Sequence, residues 1–371
     1  MEKRFEYLKE NGDIFFAVMF TLLLLISFIS EKVYETAGRY SSLFMFFLLI
    51  MMLFPYIPEL VRKKDIRIIA VILTGSVSMI NLILLDSNKG AVLIPSDMVL
   101  IALASSCIRL RENVRIYIAA AGSFFTTLWY IDVRWSYNFN MAGLTFMLFM
   151  IMGVIFLEQM KDIKSYEYLF AVQILMYVTA FIYAILYHSR CAMAAILVFG
   201  LCVVCGRFIL RSKLLFSVLL ALTTAGSIAF TFIYILLGSR GFHMRFLYKD
   251  LLSGRQQIWK ELWGAFTDHP FTGIGSSYEL KSFDIFEVHN GFFDILAVHG
   301  IIVFLLVFIM VLSAVNSAWI SAGKNDYDRN LCILAIAAVF AMFTASFFEN
   351  FFIVPPYSAF FMYFLLICRE E

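Results

Sequence analysis

Five polar residues carry most of the chemistry legible in this sequence: Arg190, Arg255, His289, Asn290 and Glu349. His289 and Asn290 immediately precede an apolar run in FEVHNGFFDILAVHG. Imidazole titrates near neutral pH and neighbouring cations disfavour its charged form, so a histidine close to arginines stays neutral and able to accept a proton. His289 is therefore a candidate general base. Arg190 sits beside His188 in the very short connection YHSRCAM, and Arg255 lies in SGRQQIW. Ser253 followed by Gln256 reads as a capping box, and Ile258, Leu262, Trp263 and Phe266 recur on one face, which predicts an amphipathic helix over 254–267. Arg255 then falls in its first turn, where a guanidinium and free backbone amides together suit phosphate oxygens. The plainer readings are a snorkelling anchor for Arg190 and a surface ion pair for Arg255. Glu349, followed by Asn350, adds a carboxylate on the same face, and Glu349 and Asn290 are candidates for orienting the imidazole or binding substrate.

Other motifs weigh less. Gly273-Ile274-Gly275-Ser276 is a tight turn that could present amides to a phosphate or simply reverse the chain. Asp284, Glu287 and His289 are close enough in sequence to consider as metal ligands, but no HExxH, DxD or paired CxxC accompanies them, so neither a metal nor another cofactor is expected. Cys202 and Cys205 form a CxxC inside LVFGLCVVCGRF. With no charge or helix start at hand to make a thiolate, they read as buried thiols, and the six cysteines do not suggest a disulfide framework.

These residues are embedded in a chain of 371 residues that is 62% hydrophobic and 15% charged, far from the composition of a soluble domain. Net charge is +2, which gives no field for a polyanion and excludes nucleic acid as partner. Apolar windows of membrane-crossing length recur at about 14–30, 41–59, 66–85, 91–110, 114–131, 141–158, 168–187, 191–209, 214–237, 292–315, 331–348 and 352–368. In hydrocarbon each amide must be bonded within its own segment, so the expected fold is an all-α polytopic integral membrane protein of about twelve transmembrane helices. The fourth window is interrupted by Pro95, Ser96 and Asp97. The first follows Lys3, Arg4 and Lys9 without a small-x-small cleavage pattern and reads as a retained helix.

With the N-terminus inside, eighteen Lys and Arg fall on inner segments, among them Arg62, Lys63, Lys64, Arg207, Arg211, Lys213, Lys324 and Arg329. Only five fall on short outer loops, namely Lys32, Arg39, Lys89, Arg134 and Arg190. That asymmetry places both ends in the cytoplasm and puts Trp129, Tyr130 and Trp135 at the outer interface. The chain then divides into helices 1–9 over 1–237, one large external loop with its amphipathic helix over 238–291, and helices 10–12 over 292–371. All five histidines, His188, His243, His269, His289 and His299, map to the outer face. Asp294 and His299, set within the tenth span, require partners or a wet cavity at membrane depth.

The Ser189-Arg190 pair, SGRQQIW at 253–259, HPFTGIG at 269–275 and EVHNGFFDILAVHG at 287–300, in that order after nine apolar windows, resemble the O-antigen ligase and polysaccharide polymerase superfamily. The detailed resemblance runs over roughly 185–320 and the topological one over the whole chain. It implies a GT-C-like glycosyltransferase in the bacterial cytoplasmic membrane, with its active site on the external, periplasmic side. It further implies undecaprenyl-diphosphate-linked glycans as substrates, Arg190 and Arg255 on the diphosphate, and His289 activating the acceptor hydroxyl. Membrane lipids, a chain-length regulator and a flippase are the partners that go with it. Glu349 matches loosely, because the final spans of these proteins diverge.

Two rival functions remain on sequence grounds. A transporter, or a flippase for the same lipid, would suit twelve spans, but two six-span repeats call for a long link after span six, where only EQMKDIKSYE stands. Within the superfamily, a ligase transfers glycan to a lipid A core or another envelope acceptor, whereas a polymerase transfers it to another lipid-linked repeat. A short external loop offers little surface for a large core acceptor, which favours the polymerase.

Overall fold

The computed structural model describes residues 2–85, 91–132, 139–161, 166–246, 249–281, 288–325 and 328–369. Lys89, Arg134, Trp135, Lys164, Asp284 and Glu287 lie outside the described residues. The α-helices are α1 (Glu2–Glu10), α2 (Gly12–Phe28), α3 (Glu31–Ala37), α4 (Ser41–Leu53), α5 (Ile57–Arg62), α6 (Arg67–Leu84), α7 (Ile94–Cys107), α8 (Glu112–Asp132) and α9 (Phe139–Gln159). They continue with α10 (Tyr166–Leu186), α11 (Arg190–Val204), α12 (Gly206–Arg211), α13 (Lys213–Thr223), α14 (Ala225–Ser239), α15 (Arg255–Asp268), α16 (Gly291–Lys324), α17 (Arg329–Ala345) and α18 (Tyr357–Ile367). Two short strands, β1 (Arg245–Phe246) and β2 (Lys249–Asp250), pair antiparallel between α14 and α15.

Helix stands in every one of the twelve apolar windows. Among the described residues, six helical segments are long and apolar enough to cross a membrane by length and composition: Glu31–Arg62, Arg67–Leu84, Asn140–Gln159, Glu167–Leu186, Lys213–Ser239 and Gly291–Lys324. Five more apolar helices are shorter. Pro95 does not break the fourth window, because it lies in the first turn of α7, where its missing N–H has no intrahelical partner to lose. The windows at 191–209 and 214–237, in contrast, are each divided, at Cys205 and Thr224.

The distribution of polarity on single helices identifies the surrounding solvent. On α6 the buried residues are Thr74, Ser78 and Asn81, while Ile72, Ile83 and Leu84 are exposed, Ile83 to 75%. A helix that turns polar groups inward and isoleucine outward is adapted to lipid, where apolar surface costs nothing. The opposite case is α18, buried along its whole length, which forms the centre against which α7 and α17 pack. Ion pairs tie the ends of the bundle: Arg111 Nε lies 2.7 Å from Asp13 Oδ2, and Arg115 Nη1 lies 2.7 Å from Asp328 Oδ2.

The longest helix, α16, is kinked at Gly300, whose φ of 84° and ψ of 167° leave the helical region. The kink frees carbonyls in the preceding turn, and the turn at 273–275 satisfies them. Ile274 N–H donates to Ala297 O at 3.0 Å, Gly275 N–H to Val298 O at 3.0 Å, and Ile301 N–H to Pro270 O at 2.9 Å. A Cβ on Gly300 would stand 2.2 Å from Phe271 O, and one on Gly273 would stand 2.3 Å from Val298 O. Gly300→Ala therefore meets both a backbone clash and a positive φ, which alone costs about 1–3 kcal/mol. The expected result is a lower melting temperature in detergent and poor recovery of monodisperse protein by fluorescence-detected size exclusion.

Candidate functional site

The starts of α9, α11, α15 and α16 and the connection after α17 converge at one end of the bundle. Asn140, His188, Arg190, Ser253, Arg255, Ile258 and His289 line a cavity of about 160 Å³ there. Glu349, 3% exposed, lies behind it and links three of these residues. His289 Nδ1 is 2.9 Å from Glu349 Oε2, while Arg255 Nη2 and Asn140 Nδ2 each donate to Glu349 Oε1 at 2.8 Å. Burial opposes charge on this carboxyl, yet the bonds from His289, Arg255 and Asn140 hold it below the usual carboxylate range. An ionised carboxylate can only accept, so Nδ1 carries the hydrogen, and in the neutral form of the ring the lone pair is on Nε2.

His289 is held by its backbone as well as by its ring. Its φ of 54° is left-handed, uncommon for a residue other than glycine. On one side, Trp259 Nε1 donates to Val288 O at 2.6 Å, and the ring of Trp259 is fully buried against α14 at Phe230 and Tyr234. On the other side, Asn290 caps α16 by accepting from Phe293 N–H at 3.0 Å, and its amide donates to Ser227 O and Thr231 Oγ1, both at 3.2 Å. Asn290 N–H in turn donates to Asn350 Oδ1 at 2.9 Å, and Asn350 Nδ2 donates to Asp294 Oδ2. This pairing gives Asp294 the partner its depth requires.

The two arginines are fixed differently. Arg190 is half-buried at the start of α11, and donates from Nη1 to Asp250 O at 2.9 Å and from Nη2 to Ser253 Oγ. Arg255 is buried at the start of α15, engages Glu349 through Nη2, and has its guanidinium carbon 5.9 Å from the Phe348 ring centroid. Two guanidinium groups and the positive ends of α11, α15 and α16 make this cavity suited to an anion carrying several oxygens.

The amphipathic helix predicted over 254–267 is α15, with Ile258, Trp259, Leu262 and Phe266 on its buried face. Its predicted cap is different: Gly254, at φ 82°, is the N-cap without a side-chain bond, and Ser253 Oγ instead donates to Asp250 O while accepting from Arg190. Arg190, Arg255 and His289 share the cavity, and Glu349 joins Arg255 to His289. Asn290 does not open onto it. Its side chain is 0% exposed and bonded to protein groups. The Gly273–Gly275 turn is likewise not a phosphate cradle, since the amides of Ile274 and Gly275 are bonded to the kinked helix. His269 is exposed at the C-terminus of α15, and its carbonyl accepts from Gly273 N–H at 2.8 Å. Asn140 was not legible in the sequence as a site residue, because an asparagine at the edge of an apolar window gives no sign of a partner 209 residues away.

Fold and cavity together define a multi-pass membrane protein with an arginine-lined, histidine-bearing site at one end of its helices. Residues 175–308 match the family model described as O-antigen ligase. This segment, just over a third of the chain, contains Arg190, Arg255 and His289, and over it the resemblance to the O-antigen ligase and polymerase superfamily holds. No curated protein and no solved structure matches the chain.

Proposed function

We propose that this protein polymerises undecaprenyl-diphosphate-linked repeat units into a surface polysaccharide by inverting glycosyl transfer that needs no metal. The observation that carries the reading is the hydrogen-bonded pair of Glu349 and His289 beside a cavity lined by Arg190 and Arg255. Arg190 and Arg255 hold the donor diphosphate. The acceptor hydroxyl attacks the anomeric carbon from the opposite face, its proton passes to His289 Nε2, and the bond to phosphate breaks with its electrons leaving on the lipid diphosphate. Glu349 accepts Nδ1–H and stabilises the imidazolium that forms. The arginines offset the charge developing on the leaving group, a role in which fixed cations in a dry site are effective.

Ligation is the second reading, favoured by the description of the matching family model. The acceptor separates the two. Purified protein supplied with lipid-linked repeat units alone should produce a ladder of long chains on a gel. Absence of any ladder, with transfer appearing only when a lipid A core is added, would establish the ligase instead.

The same reading has all twelve apolar windows crossing the bacterial inner membrane, with 238–291 and the His289 cavity on its external side. Its support is the eighteen-to-five distribution of basic residues. Ser277 is exposed in that segment. Ser277→Cys should react with a membrane-impermeant maleimide in intact cells whose outer membrane has been permeabilised. Labelling only after lysis would reverse the topology.

A further inference from the structure

Of the side chains bonded to the Glu349 carboxylate, Asn140 is the one that carries no charge and cannot titrate. It reaches the carboxylate from the start of α9, and its Nδ2 donates to Oε1 at 2.8 Å. An ionised carboxylate offers only acceptors, so the amide nitrogen is the atom that faces it. Packing sets the position of Asn140. A Cβ on Gly143, one turn along α9, would overlap Ser189 Oγ and stand 2.9 Å from Ala192 Cβ, so α9 lies directly against the start of α11. Ser189, fully buried, also donates from Oγ to Asn140 O at 3.4 Å. The asparagine is thereby held by its backbone to the residue before Arg190 and by its side chain to Glu349.

The two oxygens of Glu349 are divided between tasks. Oε2 lies 2.9 Å from His289 Nδ1, while Oε1 receives both Asn140 Nδ2 and Arg255 Nη2. Arg255 engages the carboxylate through one nitrogen, although guanidinium and carboxylate commonly pair through two parallel N–H···O bonds. Such a fork would take Oε2 as well and draw it away from the imidazole. With Asn140 on Oε1, the carboxylate has a second anchor that opposes rotation onto the guanidinium. The neutrality of that anchor matters, because a cation in its place would cancel part of the negative charge that stabilises an imidazolium. Burial opposes the charge on Glu349, and His289 and Arg255 do more than Asn140 to offset it, so the amide acts chiefly on orientation.

We infer that Asn140 is a positioning residue for the proposed transfer, holding the Glu349 carboxylate so that Oε2 stays on the ring of His289. The inference rests on the reading of His289 as the base.

The test measures transfer and donor binding by wild type, Asn140→Ala, His289→Ala and the double variant, in membranes at matched protein levels. Misplacing a reacting group by about 1 Å costs on the order of 10²-fold in rate. Asn140→Ala should therefore lower kcat by about that factor and leave the KM for the donor near its wild-type value. Asn140→Gln keeps the amide on a longer chain and should retain more transfer than the alanine variant. In the His289→Ala background, adding Asn140→Ala should lower transfer by less than about twofold, because residues that act as one unit are not additive. A merely structural asparagine would instead multiply its full loss onto that of the histidine, and that result would overturn the positioning role. If Asn140→Ala does not fold, Asn140→Gln takes its place in the same cycle. Normal transfer by His289→Ala would remove the base reading itself, whereas loss there with normal transfer by Asn140→Ala would overturn the role of Asn140 alone.

Discussion

Replacing His289 by alanine is expected to lower glycan transfer by about 10²–10⁴-fold while the protein remains folded and still binds its lipid-linked donor. The fall follows from removing the group proposed to take the acceptor proton. Retention of the fold follows from how the segment is held: Val288 O is bonded to Trp259, and Asn290 caps α16 and bonds to α14, none of which involves the imidazole. Glu349 would keep Arg255 and Asn140 as partners. Donor binding persists because Arg190 and Arg255 are anchored independently of the ring. His269→Ala, at an exposed ring whose carbonyl alone supports the turn to Gly273, should retain most of the transfer. The measurement is transfer by the two variants at matched membrane levels, with donor binding assayed in parallel. Transfer near the wild-type rate in His289→Ala would remove the proposed mechanism, and simultaneous loss of donor binding would make the residue a ligand holder.

What the sequence made legible follows from the physics of its solvent. Helical windows are readable in a membrane chain because lipid forbids any other use of the backbone, and helix stands in each of the twelve. The amphipathic α15 was readable for a related reason, since one buried face repeats at helical spacing. The interruptions were not. Cys205 and Thr224 break helices inside largely apolar runs, and Pro95, which looked like an interruption, lies where a helix tolerates it.

The site divides along the same line. Arg190, Arg255 and His289 could be picked out because charged groups are rare in such a chain and lie in short motifs. Their supports could not, because each is a contact between distant segments: Asn140 with Glu349, Trp259 with Val288, and Asn290 with Ser227 and Thr231. The glycine turn illustrates the difference. Its φ values near 75–78° were implied by the residue type, but whether its amides faced a ligand or a kinked helix depended on Gly300, more than twenty residues on.

Glu349→Gln is expected to impair both stability and transfer, because one carboxylate serves the arginine and the histidine at once. Its loss leaves Arg255, whose side chain is 10% exposed, without a counter-charge, and breaking a buried pair from one side costs about 3–5 kcal/mol. The glutamine amide can also donate to Nδ1, which would move the ring hydrogen to Nε2 and leave no lone pair for the acceptor proton. A fall in transfer on the order of 10³ is therefore expected even for the fraction that remains folded. The pH dependence has a definite sign. The Glu349 carboxyl is held below its unfolded value of about 4.3, so its contribution is complete above that value and is lost as pH falls through the lower folded one. Wild-type protein should accordingly lose melting temperature below about pH 4.3 more steeply than Glu349→Gln, the difference between the two curves isolating this group from other carboxylates. Parallel curves, together with normal transfer by the variant, would show that Glu349 neither anchors Arg255 nor sets the tautomer of His289.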